Sequence, residues 1–102
     1  YRATLERHAR TLAAMRPVGE AELRAPADGD WLHWRRTDDG FGYSPLKQVD
    51  VRNVRRLQLA WSLSLPAGTN QITPLVRDGV MFVNSNGTVQ ALDAGNGDLL
   101  WK

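Results

Sequence analysis

The 102-residue chain has no cysteine, which excludes disulfides and thiolate metal sites within it and leaves the redox compartment unmarked. No apolar run approaches the roughly 20 residues that a membrane-spanning helix needs. No signal peptide is visible. The first residue is Tyr1 rather than Met, so the lack of a leader does not argue for the cytoplasm. Charge of one sign is also missing. Thirteen basic against eleven acidic residues leave a net charge of +2, too weak a field to hold nucleic acid. The two histidines, His8 and His33, stand too far apart for metal-ligand spacing and read as surface or packing residues. Asp28 with Asp30, and Asp38 with Asp39, are loop carboxylates without a histidine to complete acid–base work. Ser44 has no visible base, and Gly40-x-Gly42 lacks the strand-to-helix context of a phosphate loop. No residue is therefore read as catalytic or as a metal ligand.

What is present falls into four stretches. Residues 1–30 read as a helical extension and linker. Leu5, His8, Leu12 and Met15 recur at three- and four-residue steps over residues 4–16, with Thr4 as the expected N-cap and Pro17 as the stop. A second short helix fits near residues 20–23. Residues 31–56 concentrate Trp31, Trp34, Phe41 and Tyr43 without periodicity, which reads as an ordered loop packed on a larger body. Asp50 then caps a short helix whose Val51, Val54 and Leu57 share a face. The arginines at 35–36 and 52–56 read as a solvated face or loop anchors, with an anion site as the alternative.

The period changes at Leu57. Leu57, Leu59, Trp61, Leu63 and Leu65 alternate with Gln58, Ala60, Ser62 and Ser64, the pattern of a half-buried strand over residues 57–65. Residues 70–102 then read as a meander of short antiparallel strands: 72–77, 80–84, 88–93 and 99–101. They are punctuated by Asp78-Gly79, Asn86-Gly87 and Asn96-Gly97, the strongest short hairpin signals because such turns need positive φ. Val80, Met81, Phe82 and Val83 are apolar on both faces, so the sheet needs a neighbour on each side. Radially stacked four-stranded blades meet that need, and such a repeat cannot bury its faces alone. The fold class is thus mainly β: an antiparallel propeller blade preceded by a helical and loop extension. The strand at 57–65 is expected to close the ring by joining the last blade.

Several residues carry a family resemblance. They are Asp30-Trp31, Arg35-Arg36, Gly42-Tyr43-Ser44-Pro45-Leu46, Asn53-Val54, Leu57, Ala60-Trp61, Thr73-Pro74-Leu75-Val76, Asp78-Gly79-Val80-Met81-Phe82-Val83 and Ala91-Leu92-Asp93, with Gly97 and Trp101. From about residue 17 to 102 the chain resembles the amino-terminal part of quinoprotein alcohol dehydrogenases. These are eight-bladed propeller enzymes that use pyrroloquinoline quinone (PQQ). Residues 91–101 look like the tryptophan-docking motif that ties one blade to the next, with Asn96 and Asp98 where Thr and Lys are usual.

The resemblance implies the amino-terminal fragment of a periplasmic enzyme that oxidises a small alcohol through PQQ. The cofactor would be held with a calcium or lanthanide ion in the full-length protein, and a cytochrome c is the candidate electron acceptor. The metal ligands and the catalytic Asp of such enzymes lie beyond this segment, which alone is expected to be inactive and to bind no cofactor. Its partners would be the remaining blades of the same protein. One cofactor contact is expected here, at the acidic position two before Thr-Pro. That position is Gln71, which reads either as a hydrogen-bonding cofactor contact or as a polar residue at the blade mouth. Thr73 would support the same site. The alternative to an enzyme is a non-catalytic PQQ-like propeller that serves as a binding or assembly scaffold.

Overall fold

The computed structural model describes residues 1–68, 70 and 72–102. Four strands form one sheet in the order of the chain: β1 (Leu75–Arg77), β2 (Val80–Ser85), β3 (Thr88–Asp93) and β4 (Leu99–Trp101). All pairs are antiparallel, with Leu75 opposite Phe82, Phe82 opposite Ala91 and Ala91 opposite Trp101. The expected meander is therefore present. β1 is shorter at its start than alternation suggests, because Pro74 donates no ladder hydrogen bond.

Two of the turns are of the expected kind. Asp78 and Gly79 have φ of 48° and 78°, and Asn86 and Gly87 have 50° and 78°. Positive φ at both central residues matches the right-handed strand twist of a two-residue hairpin. The third turn is longer. Asp93 N–H donates to Asp98 O at 2.8 Å and Gly97 N–H to Asp93 O at 2.7 Å, and only Gly97 of the Asn96-Gly97 pair has positive φ, at 79°. Asp93 Oδ1 accepts from Gly95 N–H and Asn96 Oδ1 from Asp98 N–H, both at 2.8 Å, so side chains supply the turn geometry.

The core is small: Val80, Val83, Ala91 and Leu92 are its buried hydrophobic residues. Ala91 sits between Phe82 and Trp101 in the cross-strand row, and its small side chain lets the two rings meet over it, with centroids 6.1 Å apart and planes at 56°. Leu100 is an extra residue in β4, since Leu92 faces Leu99 while Ala91 faces Trp101. Met81 and Phe82 are half-buried, so β2 is covered more on its Val80 and Val83 positions than along its whole length.

The helices differ in detail from the expectation set by periodicity. α1 spans Arg2–Ala14 and α2 spans Glu20–Arg24. Thr4 lies inside α1 rather than capping it; the N-cap is Tyr1. α1 ends early because the Arg16 backbone N–H is taken by Asp78 Oδ2 at 2.8 Å instead of continuing the helix. Asp50 does not cap the helix that follows, whose N-cap is Asn53 without a side-chain cap bond; its Oδ1 instead accepts from Arg52 N–H at 2.8 Å and Asn53 N–H at 3.2 Å in the turn just before that helix. The helix is a single 3-10 turn, Val54–Arg56. Val51, Val54 and Leu57 are exposed and form no buried face within the chain.

Residues 57–65 lie in no strand of this sheet. Leu57, Leu59 and Leu63 are exposed, Leu59 at 83%. Alternation marks a segment able to pair, yet a strand exists only where a partner edge is offered. The anchored part of this segment is Trp61, whose indole is bonded to the Ala94 carbonyl.

Candidate functional site

Three devices hold the blade and its extension in register. The first is a clasp on the β1–β2 hairpin. Arg77, at the end of β1, is buried and donates from Nη1 to Asp30 Oδ2 at 2.8 Å, from Nε to Arg16 O at 3.0 Å and from Nη2 to Pro17 O at 2.8 Å. Asp30 is buried too, and its second oxygen accepts the Asp78 backbone N–H at 2.9 Å. Arg16 grips Asp78 through Nε at 3.1 Å and Nη2 at 2.7 Å, the forked geometry that suits a carboxylate. Beside it, Trp31 and Val76 exchange backbone hydrogen bonds, each 2.8 Å. Asp30 is thus a structural ion-pair partner rather than half of an acid–base pair with Asp28.

The second is the loop anchor at Arg36, which is buried with φ of 72° and donates to Asp30 O at 3.3 Å and Ala27 O at 3.2 Å. Arg35 donates from Nε to Gly40 O and stacks over the Trp34 ring at 5.4 Å. The loop-anchor reading of these two arginines is what the structure displays. Trp31 packs at the edge of β1, whereas Trp34, Phe41 and Tyr43 are exposed on this chain.

The third is Trp61. Its indole N–H donates to Ala94 O at 3.0 Å. Its ring lies against Gly97 so closely that a Cβ there would sit 2.7 Å from Cδ2 and Cε3. Ala94 and Gly97 belong to the β3–β4 turn, so a tryptophan from outside the sheet is docked on the very turn that the sequence marks as a docking motif. Sequence reasoning does not pair these residues; the indole alternates with leucines and gives no hint of its target. Trp101 remains 42% exposed.

His8 is half-buried at the other side of this turn, with Nε2 3.3 Å from Asp98 Oδ2, and Arg7 Nη2 donates to the same oxygen at 3.0 Å. This packs α1 on the β4 hairpin. Hydrogen bonds from His8 and then Arg7, with their charges, hold the Asp98 carboxyl below the usual carboxylate range. Arg16, through its side chain and then its backbone N–H, holds Asp78 well below that range against an opposing desolvation. Both carboxylates have folded-state pKa values lowered from the unfolded value of about 3.9. Their stabilisation is full above that pH and is lost only as pH falls through the lower folded values. Attachment of α1 and Arg16 to the sheet should therefore not change from pH 7 down to about 4 and should loosen below it. Limited proteolysis near residue 16 across this range measures it. Asp78→Asn should remove most of the acid-side change, and a transition centred near pH 6 would contradict the assignment.

At the opposite end of the sheet, where β1 begins and β2 ends, a cleft of about 650 Å³ opens between residues 32–34 and the sheet. Its lining includes Leu32, His33, Ile72, Thr73, Phe82 and Asn84, mostly apolar with a few polar groups, as ligand clefts commonly are. Thr73 is exposed at this mouth. Gln71 lies outside the described residues. Among the described residues, His33 Nδ1 is buried at the cleft without a hydrogen-bond partner. No group of three His, Cys, Asp or Glu that could hold a metal ion occurs among the described residues, and no helix there is long and apolar enough to cross a membrane.

A family model described as "PQQ: Glucose/ethanol/alcohol dehydrogenase, beta-propeller domain" matches residues 31–102. The chain is 44% identical over 87 residues to the dehydrogenase subunit of a quinone alcohol dehydrogenase from Gluconacetobacter polyoxogenes, covering 82% of this chain and 12% of that protein. It is 43% identical over 89 residues to the quinohemoprotein alcohol dehydrogenase ADH IIB of Pseudomonas putida, covering 83% of this chain and 13% of that protein. A 1-butanol dehydrogenase (cytochrome c) from Thauera butanivorans is 40% identical over 77 residues, 74% of this chain and 11% of its own length. The chain thus spans about an eighth of the length of these curated relatives. A four-stranded antiparallel blade, a tryptophan docked on its Ala94–Gly97 turn and these matches lead to one conclusion: the chain belongs to the PQQ-dependent glucose, ethanol and alcohol dehydrogenase β-propeller family.

Proposed function

We propose that this chain is the amino-terminal part of a periplasmic, PQQ-dependent alcohol dehydrogenase, with a small alcohol as substrate and a cytochrome c as electron acceptor. The observation that carries the proposal is the blade itself with Trp61 docked on its β3–β4 turn, inside a segment matched to dehydrogenases of this class. Relatives named as alcohol dehydrogenases, one of them with cytochrome c in its name, support the substrate and acceptor classes.

PQQ, when bound, supplies the two-electron acceptor for alcohol oxidation. The groups of this chain suit a planar quinone carrying carboxylates: the Thr73 hydroxyl is exposed at the mouth, and neutral amides donate and accept without adding charge. Gln71 and Thr73 hydrogen-bond the cofactor on this reading, while the calcium or lanthanide ion and the catalytic base come from other blades. This chain's work is to position. It presents the mouth of the first blade, while the Asp30–Arg77 clasp fixes the extension to the opposite end of the sheet.

Residues 57–65 pair with the last blade and close the ring. Their exposed leucines and the absence of a ladder partner within this sheet favour that role. Trp101 docks on the following blade as Trp61 docks on this one.

The test is reconstitution of full-length apoprotein with PQQ. Gln71→Ala should weaken PQQ binding about tenfold, as expected for a lost hydrogen bond to a charged partner, while Gln71→Glu retains binding. Alcohol-dependent dye reduction should follow the bound fraction. A full-length protein that neither binds PQQ nor oxidises alcohols would favour the non-catalytic scaffold instead.

A further inference from the structure

Residues 66–68 and Asn70 precede Ile72 and Thr73 in the chain, and they are tied to the tip of the β2–β3 hairpin. Ser85, the last residue of β2, is 6% exposed, and its hydroxyl donates to Asn70 Oδ1. Asn70 Nδ2 in turn donates to Pro66 O and Gly68 O, both at 3.3 Å. Asn86 Nδ2 donates to Ala67 O at 3.1 Å. A Cβ on Gly68, whose φ is 129°, would sit 3.5 Å from Asn86 Nδ2. The carbonyls of Pro66, Ala67 and Gly68 are therefore held by two asparagine side chains, and one of those asparagines is itself held from a buried serine.

The anchor is stiff. Asn86 and Gly87 form a two-residue turn with positive φ at both positions, and the hairpin continues into the fully paired β2–β3 ladder. Ile72 and Thr73 lie outside regular structure, so these side-chain bonds restrain the chain beside them. Order at a binding segment cuts the entropy lost on binding, so it appears as affinity.

We propose that Ser85, Asn70 and Asn86 form a positioning clamp that sets Thr73 for the PQQ cofactor. The inference rests on the reading of Gln71 and Thr73 as cofactor contacts. None of the three clamp residues needs to touch the cofactor; they act through the loop.

The test measures PQQ affinity by fluorescence titration of full-length apoprotein, alongside thermal melting of the same apoprotein. Ser85→Ala and Asn70→Ala should each raise the PQQ dissociation constant about 5- to 20-fold, the scale of one lost buried hydrogen bond. Ser85→Thr, which keeps the hydroxyl, should restore affinity. Asn86→Gly keeps the positive φ and removes only the amide, so it carries the test if Ser85→Ala fails to fold. Clamp variants that lower the melting temperature but leave PQQ affinity unchanged, while Gln71→Ala weakens it, would overturn the clamp alone. Gln71→Ala and Thr73→Ala that both leave affinity unchanged would overturn the underlying cofactor reading, and the clamp with it.

Discussion

Asp30→Asn is expected to free the extension from the blade. The substitution keeps shape but removes the nearer of the two carboxylates at the buried Arg77 guanidinium, leaving Asp78 Oδ2 at 3.6 Å from Nε, and it weakens the acceptor for Asp78 N–H. Breaking one side of a buried pair typically costs about 3–5 kcal/mol, most of it the penalty of the stranded charge. The loss should be local, because Arg77 is also what holds Arg16 O and Pro17 O. Amide exchange at Trp31 and Val76, whose backbones bond each other at 2.8 Å, should accelerate by roughly two to three orders of magnitude. Protection there that changes by less than about tenfold would mean the pair is not important for attachment. A double replacement, Asp30→Leu with Arg77→Met, separates charge from packing. It should recover much of the lost protection, since apolar replacement of a whole buried pair is often close to neutral.

Gly97→Ala should be the most damaging single methyl in the sheet. It adds a Cβ 2.7 Å from the Trp61 ring, at a residue with φ of +79°. The left-handed conformation costs about 1–2 kcal/mol for a residue with a side chain. Pushing the indole away adds about 1–3 kcal/mol of overpacking strain. The Trp61 bond to Ala94 O would be lost in the same motion. Gly79→Ala is the internal control: its φ is +78°, yet a Cβ there meets nothing within 4 Å, so only the conformational part should appear. Thermal melting of the two variants, with Trp61→Ala as a background that opens the space, reads the difference. Equal losses at Gly79 and Gly97 would show that Trp61 is not docked in solution.

The legibility of the chain tracks the range of the interactions. The Asp78-Gly79 and Asn86-Gly87 turns lie within a few residues of the strands they join, and the alternation of β2 and β3 is local, so the meander can be read directly. The Asp30–Arg77 pair is not legible, because an aspartate in a Pro- and Gly-containing linker looks like any solvated carboxylate until a partner 47 residues away arrives. Residues 57–65 show the reverse: regular alternation that forms no strand of this sheet, because a ladder needs a partner edge alongside and this segment pairs with neither edge strand, β1 or β4. Thr4 misleads for a simpler reason, since a cap signal inside a helix-forming run does not stop the helix from starting earlier at Arg2. Thr73 locates the mouth of the blade, while its Ser85–Asn70–Asn86 support is hidden, because side chains bonding to a neighbouring loop's carbonyls leave no spacing pattern.

By itself the sequence determined the antiparallel meander, its tight turns and the requirement for cover on both faces, since hydrophobic period and turn chemistry are set by adjacent residues. Only the tertiary structure decided which distant groups meet: Trp61 with the Ala94–Gly97 turn, Arg77 with Asp30, and α1 with Asp98. Those contacts depend on where the chain returns in space, and burial then turns ordinary polar side chains into specific, costly-to-break partners.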